Sequence, residues 1–275
     1  MAGLSAWDME SAVHPRLWLV LAALCAVYLL YARRAQLPWW PCRVAFIAGA
    51  AGLATSLGWP LRDLGEKLLT ARLTEHVVLS LVAVPLLMSA FPEGFYRSLL
   101  CTRRRIKLAR RLAHPVVAAV PFNAVVVIVH LPGAVGAQSA HPWLHALCDA
   151  ALGLAAILWW WPVLTPVRET ATLTESLKML YLFLESIALS IAASALTFPT
   201  QPVYARHLET PLAAVSPVAD QLIAGVMASV AAATALWVAI ALQFVRGQAL
   251  EESDEPEVLS WEEFEQELDL WDLRA

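Results

Sequence analysis

The chain has 275 residues, of which 59% are hydrophobic and only 15% charged, with a mean hydropathy of +0.61. A soluble fold of this length cannot cover its surface with so little charge, so the bilayer is the solvent for most of it. The net charge of −4 averages two unlike regions: residues 250–275 hold 11 of the 23 acidic residues and one arginine, which leaves a body of 18 basic and 12 acidic residues. A basic membrane body with an acidic tail keeps no free basic face for nucleic acid.

Seven apolar stretches read as spanning helices, at about 15–32, 43–59, 74–91, 115–131, 143–164, 178–198 and 218–245. Prolines punctuate the breaks between them, among them Pro60, Pro92, Pro115, Pro132, Pro166, Pro199 and Pro217. The first stretch is no cleavable leader, because its positive charges, Arg33 and Arg34, follow the apolar run. That polarity places the N-terminus outside and, with seven spans, the C-terminus inside. The second stretch is short and rich in Gly and Ala, which suits packing within the bundle. In this topology 14 of the 19 basic residues lie inside, including the seven of loop 92–114, a surface for anionic lipid headgroups. Trp18, Trp59 and Trp143 fall at the outer boundary, and Trp39, Trp40 and Trp159 to Trp161 at the inner one. The expected fold is therefore all-α: a polytopic bundle of seven transmembrane helices over residues 14–246. An acidic cytoplasmic tail, 247–275, follows. Residues 250–258 read as a linker. The capping box Ser260-Trp261-Glu262-Glu263, with Trp261, Phe264, Leu268 and Trp271 at helical spacing, marks an amphipathic helix over 260–272. This tail helix suits a protein partner or the chain's own basic loop.

Histidine placement carries the functional signal. The topology puts six of seven histidines outside: His14, His76, His130, His141, His145 and His207, with His114 inside. His76 opens the third span, His130 closes the fourth and His145 opens the fifth, so three helix ends bring imidazoles to one depth. Asp220 opens the seventh span at the same level. Neutral imidazole is a common metal ligand and a carboxylate can complete or orient it. Cys148, one turn from His145, adds a soft donor that favours copper(I). The candidate metal residues are thus His76, His130, His145, Asp220 and Cys148. Histidines that merely cap helix ends, or that hold a haem between helices, are the competing readings. The four cysteines show no C-x-x-C spacing, and Cys25, Cys42 and Cys101 read as small buried apolar residues. Met227, two turns after Asp220, reads as core packing. Deeper in the membrane, Glu185 lies seven residues past Lys178, about 10 Å in, and Asn123 reaches a matching depth in the fourth span, so the two are expected to meet. Ser186, Ser190 and Ser194 read as a packing face. No nucleotide-binding, nucleophile-elbow or protease signature occurs, so the chain is not read as an enzyme.

Several segments in order carry a resemblance: His14-Pro15, Glu75-His76 followed by Val84-Pro85-Leu86-Leu87, His130-Leu131-Pro132, His145 before a span ending in tryptophans, and Asp220-Gln221 leading to Gly225. Over roughly residues 14–246 the chain resembles the multi-span CtaG family of bacterial membrane proteins required to assemble caa(3)-type cytochrome c oxidase. The resemblance implies a plasma-membrane assembly factor with an oxidase subunit as partner; passage of copper through the outer histidines follows from their placement, and a metal-free scaffold is the alternative. The chain departs from the family pattern in three places. Arg72 stands at the first position of H-M-x-x-H, Cys148 and Asp149 stand where a second histidine is common, and Ala228 stands where a methionine is expected.

Overall fold

A computed structural model of the chain describes residues 15–35, 40–204 and 215–254. His14, His207 and the expected tail helix 260–272 lie outside them. Among the described residues there are helices and no strand. In chain order they are α1 (Pro15–Ala35), α2 (Pro41–Leu57), α3 (Leu61–Gly65) and α4 (Leu69–Val77), which continues through a π-helical segment (Val78–Ala83) into α5 (Val84–Ser89). Then come α6 (Glu93–Leu99), α7 (Arg103–Leu112), α8 (Pro115–Val129), α9 (Pro132–Ala140) and α10 (Pro142–Leu164). A 3-10 turn (Arg168–Thr170), α11 (Glu175–Thr197) and α12 (Pro217–Asp254) complete the described elements.

Six helices are long and apolar enough to cross a membrane: Leu17–Arg34, Pro41–Gly65, Leu69–Ser89, Pro142–Leu164, Glu175–Thr197 and Pro217–Ala249. The expected fourth span differs. At 15 residues α8 is too short to cross alone, and it reaches spanning length only with α7, from which it bends by 62°. The described residues therefore hold six to seven candidate spans. Part of the expected linker is also helical, since α12 runs unbroken to Asp254.

The span Leu69–Ser89 is the axis of the bundle, with 61% of its apolar window buried against 17% for Leu17–Arg34. Its π turn has a local cause. Pro85 has no N–H to give, so a carbonyl one turn back loses its partner. In the wide register, where Val84 N–H reaches Leu79 O, the orphan is Ser80 O, and the Trp160 indole N–H donates to it at 2.9 Å. α2 approaches this axis through glycine: a Cβ on Gly49 would lie 2.8 Å from Leu87 Cγ and 2.9 Å from Leu87 N. α11 and α12 pack as closely at Gly225, whose added Cβ would meet Ala193 O at 3.0 Å.

Trp159, Trp160, Phe122, Leu152, Leu182 and Leu236 fill the centre. Trp159 and Trp160, expected in an interfacial belt, are core residues instead, and the Tyr181 hydroxyl donates to Trp159 O at 3.1 Å. Trp18, Trp40, Trp59 and Trp143 are exposed, as interfacial indoles are. Asn123 and Glu185 do meet, with Nδ2 donating to Oε2 at 2.9 Å. Ser186, Ser190 and Ser194 bond back to carbonyls of their own helix, so they line no polar path. All four cysteines are free; Cys25 and Cys42 are half-buried and Cys101 is exposed, which corrects their reading as buried residues. At the opposite end from the histidines, α7 is capped by Thr102, whose Oγ1 accepts from Arg105 N–H. There Arg97 pairs with Glu93 at 2.7 Å and with Glu169 at 2.9 Å.

Candidate metal centre

Five side chains from three elements converge at the end of the bundle where α4 and α10 begin. α4 supplies Glu75 and His76 on successive positions. α10 supplies His145 and Asp149, four residues apart and so on one helix face. α3 supplies Arg62. Glu75, His76, His145 and Asp149 are all buried, with Glu75 wholly enclosed. His145 Nε2 lies 3.9 Å from Glu75 Oε1 and 3.8 Å from Asp149 Oδ1, and His76 Nε2 lies 3.8 Å from the same Oδ1. Arg62 Nη1 donates to Asp149 Oδ2 and, at 3.4 Å, to Glu75 Oε1.

The local sequence explains why α4 presents these residues so firmly. Leu68 precedes the helix and has no capping side chain. Asp220 of α12 does that work from 150 residues away: it accepts from Leu69 N–H at 2.6 Å, Thr70 N–H at 3.2 Å and Thr70 Oγ1 at 2.6 Å. A carboxylate on two orphan N–H groups at a helix N-terminus satisfies both hydrogen bonding and the helix dipole. Gln221 extends the clamp, accepting from Val203 N–H at 2.8 Å and donating to Leu196 O at 3.1 Å. Asp220 is therefore the fastener that seats α4, while Gln221 ties the start of α12 to the end of α11 and the segment after it.

His130 orients the cluster from behind. Its Nδ1 donates to Val126 O at 2.6 Å, since a carbonyl can only accept. With both rings neutral, His130 Nε2 then accepts from His76 Nδ1 at 2.9 Å, and His76 is left with a lone pair on Nε2, the atom facing Asp149. The two rings are thereby in direct contact, edge to face with centroids 4.8 Å apart. Behind them lies an apolar cavity of about 330 Å³, walled by Leu73, Phe122, Val126, Leu152, Leu196 and Tyr204.

Glu75 Oε2, His76 Nε2, His145 Nε2 and Asp149 Oδ1 are buried and have no hydrogen-bond partner among the described residues. Buried polar atoms are nearly always bonded, so His76 Nε2, His145 Nε2 and Asp149 Oδ1, with Glu75 Oε1 beside them, mark a site that takes something polar. Each atom is also a metal donor. Bonds of about 2.0–2.1 Å at tetrahedral angles separate donors by about 3.3–3.4 Å, close to the 3.8–3.9 Å between His145 Nε2 and the oxygens of Glu75 and Asp149 and between His76 Nε2 and Asp149 Oδ1. Glu75, His145 and Asp149 each offer an atom within 4.8 Å of the others.

Of the residues expected from sequence, the structure brings His76, His130 and His145 together, His130 as the orienting ring. Asp220 sits on the backbone of α4 and not among the donors. Cys148 is half-buried and outside the donor group. Met227 Sδ accepts from Thr74 Oγ1 at 3.5 Å, as a packing residue would. His141 is exposed at the start of α10. The donors that sequence reasoning passed over are Glu75 and Asp149, and with them Arg62. The signal was present: carboxylates beside and one turn from outer histidines, inside spans where charge is costly. Arg72, the departure from the H-M-x-x-H pattern, is buried too; its Nη2 donates to Gln138 Oε1 at 2.6 Å, Gln138 Nε2 donates on to Val129 O at 2.9 Å, and Glu75 and Asp149 are among its electrostatic neighbours.

Residues 24–248 match the cytochrome c oxidase caa3 assembly factor family (Caa3_CtaG). A search of curated proteins and one of solved structures each returned no match.

Proposed function

The chain belongs to the cytochrome c oxidase caa3 assembly factor family, and we propose that within oxidase assembly it holds copper transiently between Glu75, His76, His145 and Asp149 and hands it to an oxidase subunit. The family and the membrane-helical fold carry the assembly role and its oxidase partner. The observation that supports the copper step is the set of three buried donor atoms without partners, His76 Nε2, His145 Nε2 and Asp149 Oδ1, with Glu75 Oε1 beside them. Read with the distribution of basic residues, the N-terminus is outside a bacterial plasma membrane, and the cluster then lies near the outer face, where an oxidase copper centre would be loaded. Copper(I) was expected on account of the Cys148 thiol. Imidazole and carboxylate donors without that thiol suit a divalent ion better, so copper(II) is the favoured cargo form and zinc its competitor.

A second reading draws on the Arg62 contacts. Bonded to both carboxylates, Arg62 compensates their charge without any metal, as in a scaffold that only holds an oxidase subunit in place. Copper titration of the purified protein separates the two. The copper reading expects one ion per chain, lost in His145→Ala and in Asp149→Asn, with oxidase activity in cells lost in parallel. Normal oxidase maturation in a strain carrying both substitutions leaves the scaffold.

A further inference from the structure

We infer that Arg62 is the resident cation of this cluster and the residue that gates it: the guanidinium stands in for the metal between the two carboxylates, and a divalent ion enters by displacing it. The inference rests on the metal reading above and names how that same site is regulated.

The geometry makes the two cations alternatives. The Glu75 oxygen that Arg62 Nη1 contacts at 3.4 Å, Oε1, is also the oxygen 3.9 Å from His145 Nε2. Its other oxygen looks away from the imidazoles toward α3, where a Cβ on Gly65 would lie 3.3 Å from Oε2. Glu75 therefore reaches an ion beside His145 through the oxygen that Arg62 occupies. The same guanidinium nitrogen bonds Asp149, whose free Oδ1 faces both His76 and His145. An ion placed there stands against a fixed positive charge, because a guanidinium does not lose its proton in a protein. Arg62 leaves only by moving.

It is placed to move. Its side chain is 15% exposed, whereas those of Glu75 and Asp149 are 0% and 5% exposed, so it forms the lid of the cluster. It also rides on a five-residue helix that follows α2 past the Gly58–Pro60 break, at the very end of the Pro41–Gly65 span. Without the ion, Arg62 keeps two buried carboxylates compensated. With the ion, the guanidinium swings toward solvent and the site exchanges one cation for another. Such an exchange lowers affinity and speeds release, as a site that passes its ion onward requires. Arg62 thus sets how tightly the ion is held without ligating it.

The test uses the full chain in detergent with Zn²⁺ as a redox-silent probe, titrated against a chromophoric chelator. Arg62→Gln removes the competing charge and is expected to bind Zn²⁺ at least tenfold more tightly and to release it more slowly to excess chelator. Arg62→Lys keeps the charge and is expected to stay within about threefold of the wild type. Equal or weaker binding by Arg62→Gln, beside a wild type that binds one Zn²⁺ lost in His145→Ala, overturns the gate while leaving the metal site standing. Absence of binding in both overturns the metal reading and the gate with it. Should Arg62→Gln fail to fold, the wild type still decides. Saturating Zn²⁺ is expected to raise phenylglyoxal modification of Arg62 severalfold, read by peptide mass spectrometry, and unchanged modification with Zn²⁺ bound rejects displacement.

Discussion

Asp220 offers the sharpest test of how the cluster is built. Its carboxylate accepts from two backbone N–H groups and one hydroxyl at the start of α4, and both Leu69 and Asp220 are buried. In Asp220→Ala the two N–H groups lose their acceptor, while Thr70 Oγ1 keeps a contact to residue 220 O at 3.1 Å. Loss of an ordinary capping side chain costs about 0.5–2 kcal/mol, and each buried donor left unpaired costs about 1–3 kcal/mol, so Asp220→Ala is expected to destabilise the fold by about 2–4 kcal/mol. Asp220→Asn keeps one acceptor oxygen but gives up the charge at the helix end, and is expected to lose about 1–2 kcal/mol. Stability is read from unfolding in mixed micelles of rising SDS content, and Zn²⁺ affinity is measured on the same samples below the transition. The folded Asp220→Asn protein is expected to bind Zn²⁺ within about threefold of the wild type, because the capping carboxylate is no donor. An Asp220→Asn protein with unchanged stability and abolished metal binding refutes this assignment and returns Asp220 to the ligand set.

Packing at glycine predicts opposite outcomes at two helix positions. Gly49→Ala drives a Cβ into Leu87 and is expected to cost about 1–3 kcal/mol in the same unfolding assay, whereas Gly153, with open space beside it, is expected to tolerate alanine with a neutral change or a gain of about 0.5–1 kcal/mol. Trp160→Phe keeps an aromatic ring in the core but leaves Ser80 O unpaired, and is expected to lose about 1–3 kcal/mol; an unchanged midpoint shows that the π turn does not depend on the indole. Glu185→Gln keeps an acceptor for Asn123 Nδ2 and is expected to leave oxidase maturation in cells intact; loss of maturation assigns the Glu185 carboxyl a role of its own.

The architecture was readable because the bilayer imposes a simple code. Apolar runs of span length mark helices and prolines mark the breaks between them, and six of the described helices begin at a proline: Pro15, Pro41, Pro115, Pro132, Pro142 and Pro217. What escaped that code is tertiary. Trp159 and Trp160 follow the interfacial pattern in sequence, but α10 lies beside the central span and turns them into the core, a fact that residue type cannot carry. Asp220 likewise sits at the right depth for a ligand. Only its register against Leu69 and Thr70, set by two helices 150 residues apart, makes it a cap.

The histidines were found by depth; their carboxylate partners required a charge argument. In the topology expected from the sequence, Arg62 and Arg72 stand on the side where the positive-inside rule disfavours arginine. Both are among the least exposed cations of the chain, and a buried guanidinium needs an acid. Within the expected spans, Glu75 and Asp149 are the acids set close to histidines expected on the outer side: Glu75 precedes His76, and Asp149 follows His145 by one helical turn. Matching the misplaced cations to those acids recovers the cluster from sequence, whereas matching imidazoles to imidazoles recovers only its histidine half. The same match explains why Arg72 can stand in a position that the resemblance assigns to histidine. Anchored to Gln138, it holds a positive charge close to Glu75 and Asp149, and in the proposed metal reading such a site would take its ion against resident cations. Weak holding then follows from charge, and it does not require a missing ligand.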